Sequence, residues 1–459
     1  MLIISIIMAL LTGLFLITMG PVYAFAFIVF FLAGYAFLFH FRKMFVFFII
    51  ARPIFDIFGR YGIRVGYSNV NIAACLSILF VIGGLFYLII NKKSIFVYKE
   101  INVFILFLLF AILSTIFNIG LVGFQGVFAW IRLVVVLVVM LVIAHDYKDA
   151  RSLIRLMKYI LFSACIPVIF AVIQMFTKIS MSSGQGFERI NGGFAHSNVF
   201  ATYLTVFIIM LFCMLSLHNT IVTKRLKLYL WGLTAIMAVC MFLTYARGAW
   251  IALAVSLSLL GLLYFRKKLF YGVTLIIFIL LAGYFLTGRI LILDEVMRRF
   301  DDVRPLAQTQ MLRASQSSFS WRLLYWKELL FKLKDSPIIG YGLGSVVILG
   351  SYHMEAHNNY LHVFFETGIG GLFFYFAMIF MFLGRAYKGI HHQNSNVRAF
   401  AIGVFGVFIS YLINSISGHL IRNAVYQMYF LSLPIILIGL MEVSFGEKKI
   451  SENENRDKL

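Results

Sequence analysis

The chain has 459 residues, of which 62% are hydrophobic and only 12% charged, with a net charge of +21. Soluble domains carry roughly 25% charged residues, so a soluble globular protein is excluded. The basic residues sit in short runs between apolar stretches, which is the positive-inside bias of an inner-membrane protein and argues against nucleic acid as a partner.

Many uncharged windows reach about 20 residues, enough to cross a bilayer as helix, while the short alternating segments of a β-barrel are missing. The fold class is all-α polytopic membrane protein, one integral membrane domain over residues 1–459. In chain order, spans are expected near 1–19, 22–40, 44–58 (short, and broken by Arg52–Pro53), 70–90, 101–118, 122–145, 157–176, 198–217, 228–246, 248–265, 269–287, 360–384, 399–416 and 425–442. That is about fourteen, or about twelve if the weak N-terminal ones merge or are re-entrant. Met1–Met19 lacks a basic n-region and reads as an uncleaved first span. Cys75, Cys165, Cys213 and Cys240 each fall inside a span and read as apolar filler.

Basic runs at Arg42–Lys43, Lys92–Lys93, Arg151 to Lys158, Lys224 to Lys227, Arg266 to Lys268, Arg385 to Arg398 and Lys448–Lys449 all fit a cytoplasmic placement. Both termini then lie in the cytoplasm, with a polar tail over 445–459. The loops near 178–197, 247, 288–359 and 418–423 lie on the outer side. The loop at 288–359 is too long for a plain connector. Within it, Trp321, Leu324, Tyr325, Leu329 and Leu333 recur at helical spacing, and Asp335–Ser336–Pro337 supplies a stop. The Trp and Tyr of that face suit a membrane interface. Gly340, Gly342 and Gly344 read as turn glycines, because the Lys-Ser/Thr of a phosphate loop is missing.

Four outward clusters carry candidate chemistry. "RINGGFAHSN" holds Arg189, His196 and Asn198 around an Asn-Gly-Gly turn, and His196, Ser197 and Asn198 suit a helix cap equally well. "TYARGAW" puts Arg247 between two spans, where an arginine needs a partner or water, or else snorkels to the interface. Arg322 lies on the amphipathic helix. "HNNYLHVFFETGIGG" begins at His357 and ends at Gly371. His353 and His357 could share a helix face as zinc ligands, yet the HExxH order is missing and the surroundings read as loop. Asn358 and Asn359 suit a cap, and His362 suits packing.

Guanidiniums bind phosphate bidentately and keep their charge. Histidine accepts a proton near neutral pH. The constellation therefore suits transfer from a lipid-linked diphosphate, with arginines on the leaving diphosphate and a histidine on the acceptor hydroxyl.

The same blocks resemble those of the O-antigen ligase and O-antigen polymerase superfamily, strongest over residues 185–375. "GFERINGGFAHSNVFATYL" is similar to the family's Gly-Phe-x-His-Pro-Asn block, with Ser197 in place of proline. "TYARGAW" resembles its Ser-Arg-Gly block. "SWRLLYWKELL" and "SPIIGYGLGS" resemble its arginine helix and Gly-x-Gly turn. His357, Asn358, Gly368 and Gly371 fit its His-Asn…Gly-x-x-Gly pattern. The resemblance implies a metal-independent, inverting glycosyltransferase of the bacterial cytoplasmic membrane, with no cofactor and an undecaprenyl-diphosphate-linked oligosaccharide donor. It implies His357, Arg322 and Arg247 as catalytic residues, and Arg189, His196, Asn198 and Asn358 in substrate binding. Arg422, in "GHLIRN", is added as a further outward arginine. The acceptor is a glycan (polymerase, with a chain-length regulator as partner), lipid A–core of lipopolysaccharide (ligase), or protein; the number of spans favours polymerase. A transporter of the lipid-linked unit is the alternative from another class, although paired repeats are missing.

Overall fold

The computed structural model describes residues 21–57, 62–65, 68–179, 182–184, 187–217, 223–265 and 320–456. Helices α1 (Pro21–Phe39) and α2 (Phe41–Ile57) are followed by a hairpin, β1 (Gly62–Val65) against β2 (Ser68–Asn71). Next come α3 (Ile72–Ile90), α4 (Lys99–Phe117), α5 (Ile119–Asp146) and α6 (Ala150–Thr177). A second hairpin, β3 (Ser182–Gly184) with β4 (Phe187–Arg189), leads to α7 (Ser197–Ser216), α8 (Lys224–Leu243) and α9 (Arg247–Leu260). After residue 320 follow α10 (Ser320–Lys332), α11 (Ser345–Leu349), α12 (Asn359–Ile390), α13 (Ser395–Asn414) and α14 (Ala424–Arg456).

Among the described residues, ten helices are long and apolar enough to cross a membrane: α3 to α9 and α12 to α14. The chain is a polytopic helical membrane protein. The expected spans near 22–40 and 44–58 fall on helices α1 and α2, neither of which is among those ten, and those near 1–19 and 269–287 lie outside the described residues, as do positions 288–319 of the long loop. The expected polar tail is helical as far as Arg456, because α14 continues past the apolar stretch.

Helix α2 departs from expectation. It runs through Pro53 to Ile57 without a break. Proline removes the N–H that would bond the carbonyl four residues back, which here is Ile49. The buried Tyr429 hydroxyl of α14 donates to Ile49 O at 2.5 Å, so the freed acceptor has a partner and the helix continues.

Helix α12 packs on α4, α13 and α14, while α13 also contacts α7 and α9. Its backbone leaves helical geometry at Gly368 (φ 64°, ψ −170°). A break at membrane depth needs partners for the freed groups, and the glycine turn supplies them. Tyr341 N donates to Phe365 O (3.0 Å) and Gly342 N to Glu366 O (2.9 Å), while Ile369 N donates to Pro337 O (2.9 Å). Ser114 Oγ of α4 also donates to Glu366 O (2.8 Å). Gly340, Gly342 and Gly344 all have φ between 75° and 88°, as turn glycines should. A Cβ on Gly368 would collide with Ile338 O. Gly368→Ala is therefore expected to cost at least about 3 kcal/mol. Size-exclusion profiles in detergent check this, with Gly384→Ala, which meets nothing within 4 Å, as control.

One end of the bundle is pinned by charge. Tyr87 OH donates to Asp146 Oδ2 at 2.6 Å, and Arg42 Nε lies 3.2 Å from the same oxygen. Arg385 Nε meets Glu100 Oε1 at 2.5 Å. The opposite end gathers the termini of α6, α7, α8, α9, α12, α13 and α14 that carry the four polar clusters.

Candidate active site

The floor of that end is built from α6 upward. The buried Gln174 side chain accepts from Asn191 N and Gly192 N (both 3.0 Å) and donates to Asn191 Oδ1 (2.9 Å), which ties the Asn-Gly-Gly turn to the bundle. Arg189 then reaches across: its Nε donates to Thr244 O and its Nη2 to Asn198 Oδ1, both at 2.6 Å. Arg189 thus joins the start of α7 to the α8–α9 junction. His196 occupies the N-cap position of α7 but its imidazole makes no cap bond. Asn198 serves Arg189 instead, so the capping role expected of these side chains is not used.

The α8–α9 junction is strained. Tyr245 has φ 54°, uncommon for a large side chain. Arg247 follows as the first residue of α9. A Cβ on Gly248 would strike Ser417 Oγ, so the glycine lets the arginine junction approach the α13–α14 loop.

Helix α10 forms where the spacing predicted it, with Tyr325, Leu329 and Leu333 buried. Its aromatic heads hold the next loop by main-chain carbonyls. Tyr325 OH donates to Met354 O (2.7 Å), and Trp326 Nε1 to Ala356 O (2.6 Å). The next residue is His357, with φ 48°. Its ring stands edge-on to Trp321 (5.6 Å between centroids) and to His419 (4.9 Å). Arg322 lies beside the same Trp321, 5.7 Å from its ring, and its Nε is buried without a hydrogen-bond partner among the described residues. One short helix therefore sets both Arg322 and His357.

Burial, and then the nearby charge of Arg247, lower the Arg322 pKa; a guanidinium nonetheless stays charged. Burial, followed by His419 and Arg322, holds the His357 imidazole down to about 3. Burial brings His419 to about 4, despite the opposing pull of Glu355. Burial would raise Glu355, but Arg422, His362 and His419 outweigh it and leave the carboxyl at about 2. His196 is lowered by burial and then by Arg189. At neutral pH His357 is an unprotonated base beside the Arg322 guanidinium, which in turn feels the charge of Arg247.

A depressed pKa keeps the base form at lower pH. kcat/KM, which reports the free enzyme, is expected to change less than about twofold between pH 8 and 5.5. A histidine at the ordinary value of about 6.5 would lose about tenfold over that range. Initial rates across buffers check this.

The structure brings together Arg247, Arg322, His357 and, through Glu355, Arg422 and His196. Asn358 is the N-cap of α12: its Oδ1 accepts from Leu361 N (3.1 Å). Asn359, expected as a cap, is instead a buried node, donating to Tyr375 OH (2.6 Å) and accepting from Ile421 N (2.8 Å). His353 is exposed and turns toward Val347 O (3.1 Å). Sequence reasoning missed His419, three residues before the arginine it did single out, and the roles of Glu355 and Glu366. The Gly-His pair at 418–419 between two spans was the available signal. It missed as well that His362, expected only to pack, lies between two carboxylates: Glu355 Oε2 at 3.4 Å and Glu366 Oε1 at 3.1 Å.

A bundle of spanning helices with arginines and a histidine converging at one end defines a polytopic membrane protein equipped to hold an anion beside a base. Residues 232–376 match a family model described as O-Antigen ligase. A Rickettsia conorii (strain ATCC VR-613 / Malish 7) protein is 26% identical over 157 residues, which cover 31% of this chain and 36% of that protein. A Rickettsia felis (strain ATCC VR-1525 / URRWXCal2) protein is 27% identical over 184 residues, 37% of this chain and 42% of its own length. Both carry the printed name "Putative polysaccharide ligase". In both, the match spans less than half of the relative. Over residues 232–376 the chain is similar to the O-antigen ligase family, and the matched stretch contains Arg247, Arg322 and His357.

Proposed function

We propose that the protein transfers a glycan from an undecaprenyl-diphosphate-linked donor to an acceptor hydroxyl, with inversion and without a metal, on the outer face of the bacterial cytoplasmic membrane. The observation that carries this is the juxtaposition of Arg247, Arg322 and an unprotonated His357, with the Arg322 Nε buried and unpartnered among the described residues. Two partly buried like charges close together repel, and a bound diphosphate relieves that repulsion. The guanidiniums hold the diphosphate. His357 takes the proton from the acceptor hydroxyl, whose oxygen forms the new bond to the anomeric carbon. The bond from that carbon to the diphosphate oxygen breaks, and the electron pair leaves with the lipid diphosphate, stabilised by both arginines.

Among the described residues, the basic runs at Arg42–Lys43, Lys92–Lys93, Arg151 to Lys158, Lys224 to Lys227 and Arg385 to Arg398 lie at the opposite end of the bundle, which by the positive-inside bias supports an outer site and cytoplasmic termini. On the acceptor, the number of spans favours a second lipid-linked glycan, hence polymerisation. The family description and the relatives' printed names favour ligation, to lipid A–core or to protein. Purified protein with synthetic undecaprenyl-diphosphate glycan and candidate acceptors is expected to form product undiminished by EDTA, and the mass of that product names the acceptor. Loss of activity on chelation with recovery on zinc would instead make His353 and His357 metal ligands.

A further inference from the structure

Behind His357 lies a second set of charged groups that the transfer step does not use. Glu355 and Glu366 flank the two nitrogens of His362, at 3.4 and 3.1 Å, and Arg422 Nη1 meets the other Glu355 oxygen at 2.9 Å. Glu366 Oε1 also accepts from Gly344 N (2.7 Å), in the glycine turn. His362 is fully buried and Glu366 is nearly so, so water cannot screen them.

A neutral imidazole donates from one nitrogen only. The other lone pair would then face a carboxylate oxygen in low dielectric. An imidazolium turns no lone pair to either carboxylate, and its charge pairs with both, although neither ring N–H is aligned for a hydrogen bond. It also makes the charges balance: two carboxylates against His362 and Arg422. We propose that Glu355, His362, Glu366 and Arg422 form a largely buried, charge-neutral scaffold in which His362 is an imidazolium ion-paired with both carboxylates, and that Arg422 is a positioning residue for the His357 loop, not a ligand of the donor diphosphate. The scaffold ties residues 355–357 to the break in α12 and to the glycine turn, so the backbone carrying His357 is fixed from behind while Trp326 fixes it from α10. The effect on catalysis rests on the reading of His357 above; the charge balance does not.

The test compares Arg422→Gln, Glu355→Gln, the double Glu355→Gln/Arg422→Gln and His362→Phe, each measured for glycan transfer and for thermal unfolding in detergent. Each single variant is expected to unfold at lower temperature, and the double variant to recover part of that loss, because it restores neutrality. Single variants should lower kcat by about 10²-fold, as misplacement of a base does, with donor KM within about threefold. Strictly additive losses of unfolding temperature overturn the scaffold. A large rise in donor KM for Arg422→Gln, not relieved in the double variant, makes Arg422 a diphosphate ligand and overturns its positioning role. If the wild-type protein transfers no glycan, the functional reading fails, while the unfolding cycle still decides the scaffold.

Discussion

Replacing His357 with alanine is expected to lower kcat by about 10³-fold while the protein still inserts and folds. The loss follows from the position of the ring. Its backbone has φ 48°, and it is held by a bond from Trp326 to Ala356 O and by edge contacts to Trp321 and His419. A side chain kept in a sparsely populated conformation by this many contacts is placed, not adrift. A general base contributes typically about 10²–10⁴-fold, and at neutral pH His357 carries no proton of its own to lose first. Donor affinity should change little, because the guanidiniums remain. His419→Ala is the informative companion. Its ring supports His357 and lies in the same charge network, so it should lower kcat by about tenfold, short of the His357 variant. Wild-type surface polysaccharide in cells carrying His357→Ala alone would remove the base from the mechanism.

Arg322→Ala is expected to lower kcat/KM for the donor on the order of 10²–10³-fold, the cost of removing one stabiliser of developing charge from a water-poor site. Arg322→Lys should recover little. An ammonium is a compact point charge without the planar fork that grips a diphosphate, and the lysine stem would leave the Trp321 face uncovered. Measurement of kcat/KM against donor concentration checks both. Recovery to near wild-type by lysine would mean that charge alone matters at this position. Arg247→Ala should resemble Arg322→Ala in direction. In that variant the Arg322 guanidinium loses its like-charged neighbour, so part of the ground-state repulsion is relieved.

Local pattern made much of this visible in the sequence. The helical spacing of Trp321, Leu324, Tyr325, Leu329 and Leu333 located α10, although Leu324 is exposed, and α10 ends at Lys332 in a 3-10 turn over Leu333–Asp335, just before the expected stop at Pro337. Gly340, Gly342 and Gly344 fell in turns because their backbone needs positive φ. The long-range pairs were illegible. Nothing near Pro53 announces that Tyr429, from the far end of the chain, satisfies Ile49 O. Nothing around His362 announces that Glu355 and Arg422 close over it, since that contact depends on how α12 and the loop before α14 pack. His362 read as packing, although Glu366 stood one helical turn on in the same stretch as a legible i,i+4 partner. Arg189, in turn, looked like a substrate ligand; in the structure two of its nitrogens donate to Thr244 O and Asn198 Oδ1, so it braces the loop before α7.

If the proposed reaction occurs, it releases a lipid diphosphate as a new glycosidic bond forms. Mass spectrometry of the lipid fraction from proteoliposomes given undecaprenyl-diphosphate glycan and acceptor measures both products at once. Glycan-free undecaprenyl diphosphate is expected in equal amount with the extended or ligated glycan, in wild-type protein and not in His357→Ala. Lipid-linked glycan recovered intact on the opposite leaflet, with no new glycosidic bond, would contradict that proposal and make the protein a transporter.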